Sequence, residues 1–264
     1  MIASVLSMAG LAILFASILA FADKKLKVTE DPKIEEVFDL LPHANCAACG
    51  YVSCHDFAEH VVTDGEDVKK CRVLGEEALE KLCALMGEDV GEQYPFIPVV
   101  LCAAETENKE PKAEYKGVET CRAADLVFGG GMECQYGCTG LGDCVSVCNF
   151  GALYMDKGLP RLIEEKCTGC EACAKACPRG IITMQQKRYD DLFHVSCCSH
   201  DTALRVRQIC GVGCIACGIC EKLSEGKLFK VEDSLAEANY SKQDELEEYK
   251  RIAEKCPTKV IKRT

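Results

Sequence analysis

The first 22 residues of the chain are apolar or small at every position and include no charged side chain. As a helix, this stretch would span about 33 Å, which is enough to cross the hydrocarbon core of a bilayer. No basic segment precedes it, and Lys24, Lys25 and Lys27 follow it. These flanks predict an uncleaved transmembrane anchor over 1–22, with the remainder on the cytoplasmic side of the cell inner membrane. The alternative is a cleaved signal peptide, because Ala20-Phe21-Ala22 is similar to a signal-peptidase site.

The apolar positions after this segment predict short helices and short strands. Asp31 and Pro32 are typical of a helix start. Apolar positions at helical spacing follow them: Ile34, Val37, Phe38 and Leu41. Further helices are predicted over 56–62 and 75–86, and strands over 96–101 and 180–184. The predicted fold class is therefore α+β, built from small units.

The composition changes this picture, because 22 of the 264 residues are cysteine and none is tryptophan. Metal–thiolate bonds can hold small modules together where an apolar core is thin. The formal net charge of −11 argues against nucleic acid as a partner. So many thiols suit a reducing compartment, whereas a disulfide scaffold needs an oxidising one.

The most specific cysteine pattern is Cys167-x2-Cys170-x2-Cys173-x3-Cys177-Pro178, which is the spacing of a bacterial ferredoxin run. Three thiolates of such a run bind one [4Fe–4S] cube, and the fourth binds a second cube. A structural zinc site instead usually pairs two short cysteine hairpins that lie a dozen or more residues apart. The pattern therefore favours iron–sulfur clusters over zinc.

A second run starting at Cys138 follows the same spacing, except that Leu141 stands where a cysteine is expected. Cys134, four residues upstream of Cys138, is predicted to fill the vacancy. The predicted ligands of cluster A are Cys134, Cys138, Cys144 and Cys177, and those of cluster B are Cys148, Cys167, Cys170 and Cys173.

Two further cysteine groups predict one cluster each. Near the N-terminus the pattern Cys-x2-Cys-x4-Cys-x16-Cys predicts cluster 1 on Cys46, Cys49, Cys54 and Cys71. Near the C-terminus the spacing from Cys210 to Cys220 repeats that from Cys134 to Cys144, and a second Cys-Pro follows at Cys256. Cluster C is therefore predicted on Cys214, Cys217, Cys220 and Cys256.

The second module lacks the complete ligand set of one cube, and the four positions concerned are Ser224, Leu246, Tyr249 and Ile252. We expect the segment 242–255 to form an ordinary helix that covers the space of the lost cube. Four [4Fe–4S] clusters use sixteen cysteines, and the remaining six are predicted not to be ligands: Cys83, Cys102, Cys121, Cys197, Cys198 and Cys210. The alternative is a fifth site formed by Cys102, Cys121, Cys198 and Cys210.

The predicted organisation has five parts. They are a transmembrane anchor (1–22), a small α-helical [4Fe–4S] domain (30–90), a connecting segment (91–133), a two-cluster ferredoxin-like module (134–190) and a degenerate one-cluster module (191–264). No nucleophile–base pair, phosphate-binding loop or dinucleotide fingerprint is recognisable in the sequence, which argues against a self-sufficient enzyme.

Three features together resemble the B-type iron–sulfur subunit of the Rnf complexes. They are the apolar N-terminal segment, the Cys-x2-Cys-Gly-x3-Cys-x16-Cys domain, and Cys-x2-Gly-Cys-x-Gly-x-Gly-Asp-Cys-x3-Cys over 134–148. The resemblance implies an iron–sulfur subunit of a membrane-bound, ion-translocating ferredoxin:NAD oxidoreductase. The expected partners are soluble ferredoxin and the other subunits, which hold the flavins, the NADH site and the ion path. Two alternatives are an anchored polyferredoxin of a membrane hydrogenase or reductase, and a zinc-stabilised docking protein.

Overall fold

The structure is a computed structural model that describes residues 2–26, 31–189 and 191–264, and in the first helix it describes side chains over 8–22. The helices in this part of the chain are α1 (Ile2–Leu26), α2 (Pro32–Leu40), α3 (Cys54–Thr63), α4 (Glu76–Met86), α5 (Cys121–Leu126), α6 (Asp143–Ser146), α7 (Ala172–Ala176), α8 (Ala203–Ile209), α9 (Ile219–Leu223) and α10 (Leu246–Lys255). The strands are β1 (Phe96–Val100), β2 (Leu153–Asp156), β3 (Leu159–Leu162), β4 (Ile182–Gln186), β5 (Phe193–Val195), β6 (Phe229–Glu232), β7 (Leu235–Ala238) and β8 (Ile261–Arg263). Short 3₁₀ helices occupy Val68–Lys70, Thr106–Asn108, Phe128–Gly131, Glu164–Lys166 and Tyr240–Lys242.

Helix α1 covers the segment that was predicted to anchor the chain. Its described apolar side chains are exposed, including Ile13 and Leu19. Among the described residues, no helix is both long enough and apolar enough to cross a bilayer. The lysines on which the predicted orientation depends, Lys24, Lys25 and Lys27, lie outside the residues whose side chains are described.

The N-terminal domain contains α2, α3 and α4, which share one apolar core. The Asp31 carboxylate accepts a hydrogen bond from the Lys33 backbone N–H (2.9 Å), and Pro32 occupies the first turn of α2, as predicted. Val37, Phe57 and Leu82 are almost fully buried between the three helices. Cys83 lies in the same core and is fully buried, as is common for a cysteine that acts as a small apolar side chain.

Two modules with equivalent strand pairing follow this domain. In the first module (96–186), β1 pairs with β4 and β2 with β3, all antiparallel. In the second module (193–263), β5 pairs with β8 and β6 with β7 in the same way. Strand β1 belongs to the segment that was predicted to be a connection, so the first module begins before the ferredoxin run.

The register of the sheets identifies equivalent residues in the two modules. Val100 pairs with Ile182, and Val195 pairs with Ile261. Ile182 and Ile261 each lie five residues after the cysteine of their Cys-Pro motif. The internal repeat predicted from the cysteine spacing is therefore present in the fold, and it makes Val100 equivalent to Val195.

Burial lowers the pKa of His194, on β5, to about 4. The charge of Lys262 also lowers this pKa, whereas a hydrogen bond with the Leu192 backbone raises it. The ring contacts the hydroxyl groups of Ser196 (2.9 Å) and Thr264 (3.2 Å). Below the ordinary histidine pKa of about 6.5, the unfolded chain binds a proton that the folded chain does not yet bind. Stability is therefore lost as the pH falls from about 6.5 towards 4.

We expect this histidine to lower the free energy of unfolding of the second module by roughly 2 kcal/mol as the pH falls from about 7 to about 5. In a His194→Gln variant that part of the pH dependence should be absent. Urea unfolding monitored by hydrogen exchange of the second module, at both pH values, measures the difference. If the stability of the wild type and of the variant changed equally with pH, the lowered pKa of His194 would not be the cause.

Candidate metal sites

The four cysteines predicted for cluster 1 line one cavity, which we call site 1, with an empty volume of about 320 Å³. Ala47 and Gly50 have positive φ angles (54° and 93°), so the loop that carries Cys46 and Cys49 turns back tightly. The Asn45 side chain accepts the Cys54 backbone N–H (2.8 Å) and holds the start of α3 against this loop. Burial raises the pKa of Cys71 to about 11, and the other three thiols act in the same direction.

The four cysteines predicted for cluster B also line one cavity, site B, of about 320 Å³. The backbone N–H of Ala152 donates to Cys148 Sγ (3.3 Å). Gly169, between Cys167 and Cys170, has φ 68°, and a Cβ there would lie 2.7 Å from the Phe96 carbonyl oxygen. The loop can thus pass this close to β1 only with glycine at that position.

The structure places Cys121, and not Cys134, with the remaining cysteines predicted for cluster A. The cavity of this group, site A, has an empty volume of about 370 Å³ and is lined by Cys121, Cys138, Cys144 and Cys177. Burial raises the pKa of Cys144 to about 12, and the thiols of Cys138 and Cys121 raise it further. The structure therefore groups Cys121, which was predicted to be a surplus thiol, with Cys138, Cys144 and Cys177, whereas Cys134 lines another cavity.

Asp143 explains why Cys121 lies at site A. Its carboxylate accepts the backbone N–H groups of Cys121 (2.8 Å) and Arg122 (3.1 Å) at the start of α5. Asp143 is also the first residue of α6, and Cys144 follows it directly. Spacing could not identify Cys121, because it lies 17 residues before Cys138, on a separate helix. The sequence signal that could have indicated its place is Asp143, the acidic residue beside Cys144.

The cysteines predicted for cluster C line a fourth cavity, site C, of about 370 Å³. Its cysteines are Cys214, Cys217, Cys220 and Cys256. Burial raises the pKa of Cys220 to about 11, and the three other thiols of the group raise it further. The structure thus brings together the complete predicted groups for clusters 1, B and C.

Aromatic side chains fill the part of the second module that corresponds to site B. The Tyr249 ring, on α10, is fully buried and lies 5.6 Å from the Phe193 ring and 5.2 Å from the Phe229 ring, centroid to centroid. Ser224, four residues after Cys220 as Cys148 is after Cys144, donates to the Cys220 carbonyl (2.9 Å). The predicted helix over 242–255 is observed as α10, and it carries Tyr249 and Ile252 into the core.

A fifth cavity lies between the two modules and is the largest of the five, with an empty volume of about 530 Å³. We call it the inter-module cavity. It is lined by five cysteines: Cys102, Cys134, Cys197, Cys198 and Cys210. Apart from Cys134, all were predicted not to be ligands. Three members of the alternative fifth set, Cys102, Cys198 and Cys210, line this cavity, whereas its fourth member, Cys121, lies at site A.

Each group of cysteines surrounds a space instead of converging on a point. Over the described residues, no three side chains of His, Cys, Asp or Glu are placed to hold a single metal ion. A [4Fe–4S] cube takes one thiolate at each of its four irons, so its ligands surround the cluster. Four cavity-facing thiols, together with backbone N–H groups that donate to sulfur, fit such a cube.

The N-terminal domain contacts the first module beside two of these sites. Arg72 follows Cys71 of site 1, and its guanidinium pairs with the carboxylate of Glu171, which follows Cys170 of site B. The same guanidinium stacks on the Phe96 ring, 4.3 Å from its centroid. One residue therefore joins the rims of sites 1 and B.

A four-cysteine helical domain followed by two Cys-Pro modules defines the class of multi-cluster, ferredoxin-type iron–sulfur proteins. The family model "Putative Fe-S cluster" matches residues 41–73, and "4Fe-4S binding domain" matches 160–183. The chain belongs to the family of B-type subunits of the Rnf ion-translocating oxidoreductase complexes, as three relatives show.

The first relative is the B-type subunit of the "Ion-translocating oxidoreductase complex" of Methanosarcina acetivorans, 36% identical over 92% of this chain and 91% of the relative. The B-type subunit of the "Na(+)-translocating ferredoxin:NAD(+) oxidoreductase complex" of Acetobacterium woodii is 34% identical over 94% of this chain and 74% of the relative. The B-type subunit of the "Proton-translocating ferredoxin:NAD(+) oxidoreductase complex" of Clostridium ljungdahlii is 35% identical over 99% of this chain and 91% of the relative.

Proposed function

We propose that this chain is the electron-transfer subunit of an Rnf-type ferredoxin:NAD oxidoreductase that translocates ions. In this role it exchanges electrons with a soluble ferredoxin and with partner subunits that carry the flavins and the NADH site. The observation that carries the proposal is that its cysteine groups lie in one continuous series. Family membership supports the same role, because two of the relatives are named as subunits of ferredoxin:NAD(+) oxidoreductase complexes.

The contacts between neighbouring groups define the series. The Arg72–Glu171 ion pair joins site 1 to site B. Sites A and B each take cysteines from both runs. The two sites are close enough that the thiol of Cys173 at site B raises the pKa of Cys144 at site A. The Cys138 backbone N–H donates to the sulfur of Cys102 (3.4 Å) and so joins site A to the inter-module cavity. Cys210 of that cavity is four residues from Cys214 of site C.

We propose one [4Fe–4S] cluster at each of sites 1, A, B and C, which gives four clusters. When bound, such clusters accept and donate single electrons, commonly at low potential. The residues of the chain supply the thiolates, donate N–H groups to sulfur and exclude water from the cavities. A potential range close to that of ferredoxin suits reversible exchange with it.

We also propose that the segment 1–22 anchors the chain in the cell inner membrane as a single pass, with the cysteine domains on the cytoplasmic side. The uncharged segment 1–22 and the lysines that follow it support this. N-terminal sequencing of the protein from membrane fractions tests it. A mature protein that begins at Asp23 would contradict the anchor.

Electron exchange with ferredoxin tests the proposed function. We expect a reduced soluble ferredoxin, mixed anaerobically with excess purified full chain, to become oxidised while the visible absorbance of the chain is bleached. The control is the same chain stripped of iron, which should leave the ferredoxin reduced. If dithionite bleaches the chain and ferredoxin does not, the proposal is wrong.

The partners provide an independent test of the same proposal. The tagged chain should co-purify from gently solubilised membranes with flavin-containing subunits and with NADH-oxidising activity. Co-purification with hydrogenase subunits and without flavin would place the chain in a different redox complex.

A further inference from the structure

We propose that the inter-module cavity is a fifth [4Fe–4S] site, with Cys102 and Cys134 as ligands from the first module and Cys197 and Cys210 from the second. The cavity is the largest of the five, and each of these four side chains lines it. As a carrier between sites A and C this fifth site rests on the proposed function, whereas as a metal site it rests on the geometry alone.

The internal repeat makes the four thiols two equivalent pairs. Cys102 lies two residues after Val100, and Cys197 lies two residues after the equivalent Val195. Cys134 and Cys210 are equivalent as well, because each precedes a cluster-run cysteine by four positions. The two modules therefore face each other across the cavity, and each contributes the same two positions to it.

Backbone N–H groups donate to the sulfur atoms of the two first-module residues. Cys138 donates to Cys102 Sγ (3.4 Å), and Gly137 donates to Cys134 Sγ (3.2 Å). Such bonds stabilise a thiolate and tune a cluster bound to it.

Cys198 lines the same cavity, but its sulfur is placed differently. Its Sγ donates to the carbonyl oxygen of Tyr136 (3.5 Å), which requires a protonated thiol. Its equivalent in the first module is Ala103, so the repeat provides no second copy of this thiol. We therefore assign Cys197 as the fourth ligand and Cys198 as a neighbouring thiol.

The walls of the cavity suit a buried cluster. Gly137 leaves open the space beside two of the sulfurs, because a Cβ there would lie 3.4 Å from Cys134 Sγ and 3.5 Å from Cys102 Sγ. Val206 and Ile209 of α8 are buried in the wall and exclude water from it. Cys102 itself is only 9% exposed.

The fifth site is tested with matched double variants of the full chain, purified anaerobically. Cys102→Ala/Cys210→Ala removes one proposed ligand from each module and should lower the iron and acid-labile sulfide content by about four atoms each. The control, Cys83→Ala/Cys198→Ala, also removes two poorly exposed thiols, and its iron content should equal that of the wild type. Circular dichroism and the remaining iron show whether each protein is folded.

Several outcomes would overturn the proposal. One is unchanged iron and sulfide in Cys102→Ala/Cys210→Ala. Another is a loss of the cluster in the single variant Cys198→Ala while Cys197→Ala keeps it. A protein that unfolds is replaced by the corresponding serine variants, for which the same iron loss is expected. Ferredoxin oxidation by the wild-type chain is measured in parallel, so a wrong fifth site is distinguishable from a wrong function.

Discussion

Replacing Cys121 with alanine is expected to remove between about one and four iron atoms per chain, because a [4Fe–4S] cube needs four thiolates. Cys121 lines site A with Cys138, Cys144 and Cys177, and Asp143 holds it there through two backbone N–H groups. Iron and acid-labile sulfide determination on anaerobically purified full chain measures the loss. Cys83→Ala, in the core of the N-terminal domain, is the control and should retain the full content.

Combining Cys121→Ala with Cys134→Ala distinguishes this arrangement from the one that spacing suggested. The structure places the two thiols at different cavities, so the iron losses of the two single variants should add in the double variant. If both thiols served one cube and each single variant lost all of its roughly four irons, the double variant would lose no more iron than either single variant. That result would contradict the assignment of Cys121 to site A.

Replacing Tyr249 with alanine is expected to destabilise the second module by about 3–5 kcal/mol, the usual cost of removing a large buried aromatic side chain. The ring is fully buried between Phe193 and Phe229, and its hydroxyl donates to the Asn239 carbonyl (2.7 Å). Tyr249→Phe keeps the packing and should cost about 1 kcal/mol for the lost hydrogen bond.

The measurement is hydrogen exchange of the amides of α10 and β5 under increasing urea, because global unfolding of a chain with several modules is not two-state. Tyr154→Ala is the control, since Tyr154 is 48% exposed on β2 and its loss should change stability by less than about 0.5 kcal/mol. Equal effects at Tyr249 and Tyr154 would show that the aromatic cluster is not the core that stabilises the second module.

The predicted cysteine groups that the structure places around one cavity are mainly those whose spacing reports local geometry. Cys46, Cys49 and Cys54 lie within nine residues of one another, and so do the first three cysteines of the ferredoxin run. A Cys-Pro motif marked two of the remote cysteines that the structure places with their predicted groups, Cys177 and Cys256. The helix in place of the lost cube was also predictable, because Tyr249 and Ile252 occupy ligand positions at helical spacing.

The sequence did not reveal the thiols that only tertiary packing brings together. Cys121 reaches site A only because Asp143 joins two helices that are distant in the chain. Cys102 and Cys197 are brought to the inter-module cavity by β1 and β5, and neither belongs to a run. The alignment of Cys134 with Cys210 marks a repeated position, but spacing alone could not show what this position does. In the structure both cysteines line the inter-module cavity, between their own module and the other one.

The most direct test of the account is the iron and acid-labile sulfide content of the anaerobically purified wild-type chain, normalised to protein by amino-acid analysis. Five cubes predict about 20 irons and about 20 sulfides per chain, with visible absorption that dithionite bleaches. About 16 of each would leave the proposed function in place and remove the fifth site. About one zinc per cysteine group, with no acid-labile sulfide and no visible absorption, would contradict the account as a whole.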